Sequence, residues 1–203
     1  MWLLAIVIGY LLGNLNGAVV VSHMMGDDVR THGSGNAGLT NFIRNYGAGR
    51  ALTVILIDAE KAIAACVIGG LLVQTSLGFQ AGSAIGGFGV ILGHVCPVFL
   101  GFRGGKGILS GLFVALMTDW RIAVIILVVF AVAYFWTQYV SLGSVLAAAA
   151  FSLSFLILHF NQPAMMICGV LTGALTIWMH KGNIIRLLNG QERKTNLFKK
   201  DKA

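Results

Sequence analysis

Charge is scarce in this chain: only 10% of its 203 residues are Asp, Glu, Lys or Arg, and the acidic ones number seven. An ordinary soluble domain carries about 25% charged residues, so a largely water-exposed surface is excluded. Proline is almost missing, with two residues, and no Pro/Ser-rich linker divides the chain. One domain over 1–203 is expected, with 193–203 as a basic cytoplasmic tail. The three cysteines, Cys66, Cys96 and Cys168, are too few and odd in number for a disulfide framework and read as small buried hydrophobes. What fills the chain instead is apolar: 57% hydrophobic residues and a mean hydropathy of +0.85. A chain of this size cannot hide that much apolar surface from water. The class is an all-α integral membrane protein built as one polytopic bundle.

Apolar segments near 2–22, 51–73, 78–100, 107–118, 121–137, 141–160 and 163–179 predict seven transmembrane helices. The fourth measures roughly 18 Å at 1.5 Å per residue, short of a hydrocarbon core of about 30 Å. No basic stretch precedes the run that starts at Trp2, which reads as a retained span with an outside N-terminus rather than a cleaved leader. With seven crossings, Arg30, Arg44, Arg50, Arg103, Lys106 and the seven cations after residue 180 share one side, twelve of the fourteen. Positive charge marks the cytoplasmic face, so that side and the C-terminus are expected there. The cation excess is thus a topology signal and implies no nucleic-acid partner. The 27 glycines suit close helix packing in lipid.

Three polar clusters then fall on the same face. The first is Gly33-Ser34-Gly35-Asn36-Ala37-Gly38-Leu39-Thr40-Asn41, followed by Arg44. Its glycines mimic a dinucleotide fingerprint, with Asp58 as the downstream acid, but no strand or βαβ unit surrounds them. What stands is a small-residue loop carrying Ser34, Asn36, Thr40 and Asn41, with a guanidinium suited to oxyanions. The second is Val98-Phe-Leu-Gly-Phe-Arg-Gly-Gly-Lys-Gly107, preceded by His94 and Pro97. It fails as a nucleotide-binding P-loop, with Leu100 where a glycine belongs and Gly107 where Ser or Thr belongs. Gly101, Gly104, Gly105 and Gly107 with Arg103 and Lys106 point to a nest for the phosphate of a small molecule. The third is His180-Lys181-Gly182-Asn183, with Arg186, Gly190 and Glu192. His180 and Asn183 share one helical face, while an amphipathic helix lying on the anionic leaflet is the competing reading.

Asp58 and Lys61 are three apart inside a span and are expected to pair. His23 and His159 read as structural residues. His32, His94 and His180 lack metal-ligand spacing, so no metal is expected. A small transporter of a phosphorylated solute is the rival class, disfavoured because the clusters sit at one face and no repeat is visible.

The three motifs GSGNAGLTN with Arg44, GHVCPVFLGFRGGKG and HKGNIIRLLNGQE together resemble bacterial acyl-phosphate-dependent glycerol-3-phosphate acyltransferases, the PlsY family, from the first span through Glu192. Tyr139 to Ser144, with Ser141, and the Asp58–Lys61 pair resemble it too. The resemblance implies a seven-helix enzyme that moves an acyl chain from acyl phosphate to the 1-hydroxyl of glycerol 3-phosphate, giving lysophosphatidic acid and phosphate without a cofactor. It implies a monomer in the bacterial inner membrane, functionally coupled to an acyl-phosphate-forming enzyme. Ser34, Arg44, Lys106, His180 and Asn183 are then the catalytic candidates. Gly35, Asn36, Thr40, Asn41, Gly101, Arg103, Gly104, Gly105, Gly107 and Ser141 are the substrate-binding ones, and Asp58, Lys61, His94 and Glu192 support the site. The acceptor's proton goes either to His180 or to an oxygen of the acyl phosphate itself. The chain departs from the family pattern at Asn14-Leu15-Asn16, where Ser-Ile-Pro is usual, and at Leu39, Ser110 and Lys181-Gly182.

Overall fold

The 2–22 run does not form one helix. It breaks at Asn14-Leu15-Asn16 into α1 (Trp2–Gly13) and α2 (Gly17–Met24). Asn16 caps α2 by accepting the Val19 amide at 3.1 Å, which is why a carboxamide ends one helix and starts the next here. The computed structural model describes residues 1–195, and the Lys199, Lys200 and Lys202 portion of the basic tail lies outside them. After a single 3₁₀ turn at Val29–Thr31, α3 (Leu39–Tyr46) is a short amphipathic helix, and α4 (Ala51–Leu77) and α5 (Phe79–Val95) are long. A second 3₁₀ turn, Val98–Leu100, leads to α6 (Ile108–Thr118), α7 (Trp120–Thr137), α8 (Val140–Leu158), α9 (Pro163–Met179) and α10 (Lys181–Leu188).

α5 is the central post, packed against α4, α1, α9 and α6. Its glycines permit this. A methyl group on Gly82 or Gly86 would strike the backbone of α4, and one on Gly89 or Gly93 the backbone of α1. Without side chains at those positions the helix axes close to backbone contact, which is how helices gain packing energy in lipid. Around this contact lies the main apolar core, including Ile91, Ile122, Phe155 and Met165. A second, smaller core of Val19, Val29, Ala37, Phe42 and Val54 seats the first polar loop and α3.

Length and composition alone do not mark all seven expected segments as spans. Among the described residues, four stretches are long and apolar enough to cross a membrane: Trp2–Met24, Phe79–Leu100, Trp120–Thr137 and Val140–Leu158. A fifth forms if Pro163–Met179 and Lys181–Leu188, bent by 56° about His180, are taken as one. α4 is not among them and carries Asp58, Glu60 and Lys61 within its 27 residues. α6 has 11 residues, about 16 Å of helix.

Candidate active site

Asn41 organises the first cluster. Its side chain is buried, donating to the carbonyls of Val29, His32 and Asn36 at 3.0 to 3.1 Å. It accepts from the Ser34 amide at 3.0 Å. Both ends of this carboxamide are therefore spent on the loop, where a substrate contact was expected. Gly35 has φ +68° and turns the chain so that Ser34 is exposed. Asn36 and Thr40 are half-buried, and Arg44 projects from α3 to donate to the Thr195 hydroxyl.

The glycine loop rests on His94. The Gly105 amide donates to the His94 carbonyl at 3.0 Å. A methyl group at Gly104 would meet Pro97 and that carbonyl, and one at Gly105 would meet the His94 ring and the Ala37 carbonyl of the first loop. These two positions require glycine because backbone approaches backbone. Gly101 and Gly107 have φ +63° and +83° and turn the chain at either end of the loop.

Beneath the loop a buried network ties four segments together. Lys61 Nζ lies 2.6 Å from Asp58, 2.6 Å from His94 Nδ1 and 2.7 Å from the Leu15 carbonyl. Asp58 accepts the Gly17 amide at 3.2 Å. An unpaired charge at this depth would be costly, and here every charged group has a partner. The network joins the α1–α2 break to α4, α5 and the glycine loop. Asn16 donates to the Ala37 carbonyl at 3.0 Å, and Asn14 accepts the Phe99 amide at 3.1 Å.

The third cluster closes over Lys106. Its ammonium donates to Asn183 Oδ1. Asn183 Nδ2 donates to Glu192 at 2.8 Å, and Arg186 Nε donates to the other Glu192 oxygen at 2.8 Å. Burial pushes the Lys106 ammonium down to about 8; nearby Glu192 opposes this, and Arg186 and Arg44 add to it. Burial also disfavours the Glu192 carboxylate, but hydrogen bonding to Asn183, Ser141 and Arg186 outweighs it and holds the acid below its usual range. The Ser141 hydroxyl is buried beside it without a well-formed hydrogen bond. His180, also buried, directs Nδ1 to the Thr176 carbonyl at 2.8 Å, which leaves Nε2 as the acceptor nitrogen.

Arg44, Lys106, His180, Asn183 and Glu192 thus converge from three segments far apart in sequence. Arg103 does not join them: it is exposed, and its side chain makes no hydrogen bond or ion pair among the described residues. His23, His32 and His159 stand elsewhere and face carboxylates, those of Asp28, Asp27 and Asp119. Among the described residues no group of three or more His, Cys, Asp or Glu is placed to hold a metal ion.

A family profile described as glycerol-3-phosphate acyltransferase matches residues 3–190. The chain belongs to the glycerol-3-phosphate acyltransferase family. A member from Halalkalibacterium halodurans is 39% identical over 198 residues, covering 95% of this chain and 94% of the relative. One from Thermoanaerobacter sp. is 36% identical over 192 residues, 94% of each. The crystal structure of PlsY, an integral membrane glycerol 3-phosphate acyltransferase in its glycerol 3-phosphate form, superimposes with a TM-score of 0.86 at 32% identity, covering 98% of this chain and 99% of that one. The lysophosphatidic acid form superimposes with a TM-score of 0.82. The membrane-embedded helical fold of this family member is thereby established.

Four supports of the acyltransferase site went unassigned in the sequence. Arg186 stood in the third motif without a role, and Asn14 and Asn16 appeared only as departures, although two carboxamides inside an apolar run were a usable signal. Arg30, which donates to the Leu100 carbonyl at 2.9 Å while chelating Asp28, carried none.

Proposed function

We propose that this chain is a membrane acyltransferase that moves an acyl group from acyl phosphate to the 1-hydroxyl of glycerol 3-phosphate, giving lysophosphatidic acid and phosphate. The observation that carries the reading is the convergence of Arg44, Lys106 and Arg186 on a single carboxylate, Glu192, beside a loop of close-packed glycines. Three cations against one acid leave net positive charge where a doubly charged phosphate can replace water.

Lys106 and Arg44 hold the phosphate of glycerol 3-phosphate against the glycine loop, and Ser34, on its exposed turn, holds a substrate oxygen. Gly35, Asn36 and Thr40 complete that wall, whereas Asn41 supports it from beneath. The acceptor hydroxyl attacks the acyl carbonyl, the bond from that carbon to the phosphate oxygen breaks, and phosphate departs with its electron pair. An oxygen of the leaving phosphate takes the hydroxyl proton, because the mixed anhydride is already activated and the cations have mainly to position it. His180, its Nδ1 committed to the Thr176 carbonyl, accepts at Nε2 from the neighbouring 2-hydroxyl and so orients glycerol 3-phosphate for attack. Asn183 and Arg186 keep Glu192 in place, with Ser141 packed beside it.

The chain makes seven crossings: α1 with α2, α4, α5, α6, α7, α8 and α9. Pairing of Asp58 with Lys61 makes α4 admissible despite its charges. The N-terminus lies outside, and the C-terminus and the site face the cytoplasm of a bacterial inner membrane, as the distribution of twelve of fourteen cations favours. The protein acts as a monomer, as one domain, coupled to an enzyme that forms acyl phosphate. Purified protein supplied with palmitoyl phosphate and glycerol 3-phosphate is expected to form lysophosphatidic acid. No product from folded protein contradicts the reading.

A further inference from the structure

Between the last turn of a span and the glycine loop, residues 97–102 form a rigid hairpin with two unlike faces. Leu100 points inward onto the second apolar core, and its carbonyl is fixed by Arg30. Asn14 holds the Phe99 amide from the α1–α2 break. The amides of Leu100 and Phe102 both donate to the Pro97 carbonyl, at 3.1 and 2.8 Å. Outward go Val98, Phe99 and Phe102, with Phe99 73% and Phe102 64% exposed. Phe102 has φ +60°, a left-handed conformation that a bulky aromatic residue rarely adopts and keeps only when its surroundings enforce it. The fold therefore holds two phenyl rings in the open, at the depth where the span Phe79–Leu100 ends. Next in the chain is Arg103, a cation whose side chain has no polar partner among the described residues.

The juxtaposition separates two positive charges three residues apart. Lys106 is half-buried and bonded into the polar cluster. Arg103 stands outside it, beside apolar surface at the membrane boundary. The two substrates of the proposed reaction differ in the same way, one a small polar phosphate and the other a phosphate on a long acyl chain.

Resting on that reaction, we infer that Phe99, Phe102 and Arg103 form the docking edge for the long-chain acyl phosphate, the rings receiving the first part of the chain and the guanidinium its phosphate. Arg103 is then a donor-binding residue rather than the glycerol-phosphate clamp expected from its place in the motif. A guanidinium matches a phosphate in two parallel hydrogen bonds, and aromatic rings sit well at the boundary between headgroup and hydrocarbon. The continuity of the hairpin with the span gives the chain a route from the bilayer without crossing water.

The test has a kinetic arm and a binding arm on the full-length protein. Arg103→Gln is expected to raise the KM for palmitoyl phosphate about tenfold, the scale of a lost charge-assisted contact, while the KM for glycerol 3-phosphate stays within about twofold. Arg103→Lys should recover part of the loss. A rise in the glycerol 3-phosphate KM with the donor KM unchanged, or equal changes in both, overturns the assignment while leaving the proposed reaction standing. In the binding arm, Phe102→Trp places a reporter on the edge, and hexadecyl phosphate is expected to displace quenching by brominated phosphatidylglycerol. Quenching that hexadecyl phosphate leaves untouched makes the hairpin a general bilayer anchor and overturns the proposal. This arm needs no turnover, so it reads the edge even if the reaction proves to be another.

Discussion

Two polar clusters occupy opposite ends of α6, and only one has charge left over. Ahead of its first turn, Lys106, Arg44 and Arg186 face Glu192, contributed by segments up to about 150 residues apart. Beyond its last turn, Asp119 is chelated by Arg121, two residues away, at 2.6 to 3.1 Å, and meets His159 Nε2 at 3.0 Å. Arg121 first, and His159 with it, keeps the Asp119 carboxyl below its usual range. A hollow of about 630 Å³ lies there, lined by Gln80, Asp119, Arg121, His159 and Gln162 among others. Its one loose end is His159 Nδ1, buried without a partner. A cluster whose acid is neutralised by its own neighbour fastens two helix turns together. One whose cations outnumber its acids and come from remote segments is built to receive an anion. Space alone does not distinguish them, since the hollow lies at the neutralised end.

The sharpest way to break this contrast is to remove the surplus charge. Lys106→Ala is expected to cut kcat/KM for glycerol 3-phosphate about 100- to 1,000-fold, the scale of losing one charge stabiliser in a preorganised site, with the thermal midpoint nearly unchanged. An activity within tenfold of wild type would place the phosphate elsewhere. Next comes the network that underlies the first cluster. Lys61→Met leaves Asp58 buried without its ammonium and should cost about 3–5 kcal/mol of stability, read as a lowered unfolding midpoint in detergent. An unchanged midpoint would show that the pair carries no structural weight.

The pH profile sharpens the comparison further. With its ammonium held at about 8, Lys106 loses charge as pH rises through that value, so kcat/KM should fall on an alkaline limb near 8. An undisturbed lysine would keep the limb near 10.5. Because the unfolded chain binds this proton up to about 10.4, the same shift makes stability rise with pH between the two values while activity declines. Glu192→Gln removes the charge that opposes the shift and should move the limb to lower pH; movement to higher pH would contradict the electrostatic ordering. The smallest effect belongs to the far end, where Arg121→Gln should leave turnover within about twofold.

How much of this was legible in the sequence depends on distance along the chain. The glycine loop and the triad His180, Asn183 and Glu192 were visible because each lies within one short segment. Hydropathy marked the helices but not which of them qualify as spans, since it scores Asp58 and Lys61 as two charges although they meet as a pair at 2.6 Å. Hydropathy alone passes over the break at 14–16, because the apolar run continues through it, and only the two carboxamides mark the place. Asn14 and Asn16 acquire a purpose only when Phe99 and Ala37 come alongside. Arg30 looked like a topology cation, and only folding shows it holding Leu100. Asn41 erred in the opposite direction, a polar residue in a substrate motif whose hydrogen bonds all turn inward.

Lys106 in the open cluster should bind the phosphate of glycerol 3-phosphate before any acyl donor arrives. Calorimetric titration of glycerol 3-phosphate into purified protein, without any acyl donor, tests it apart from catalysis. Saturable binding to wild type is expected, with a Kd about 10- to 100-fold weaker for Lys106→Ala, the scale of one hydrogen bond to a charged group. Equal affinity in the two proteins would contradict it.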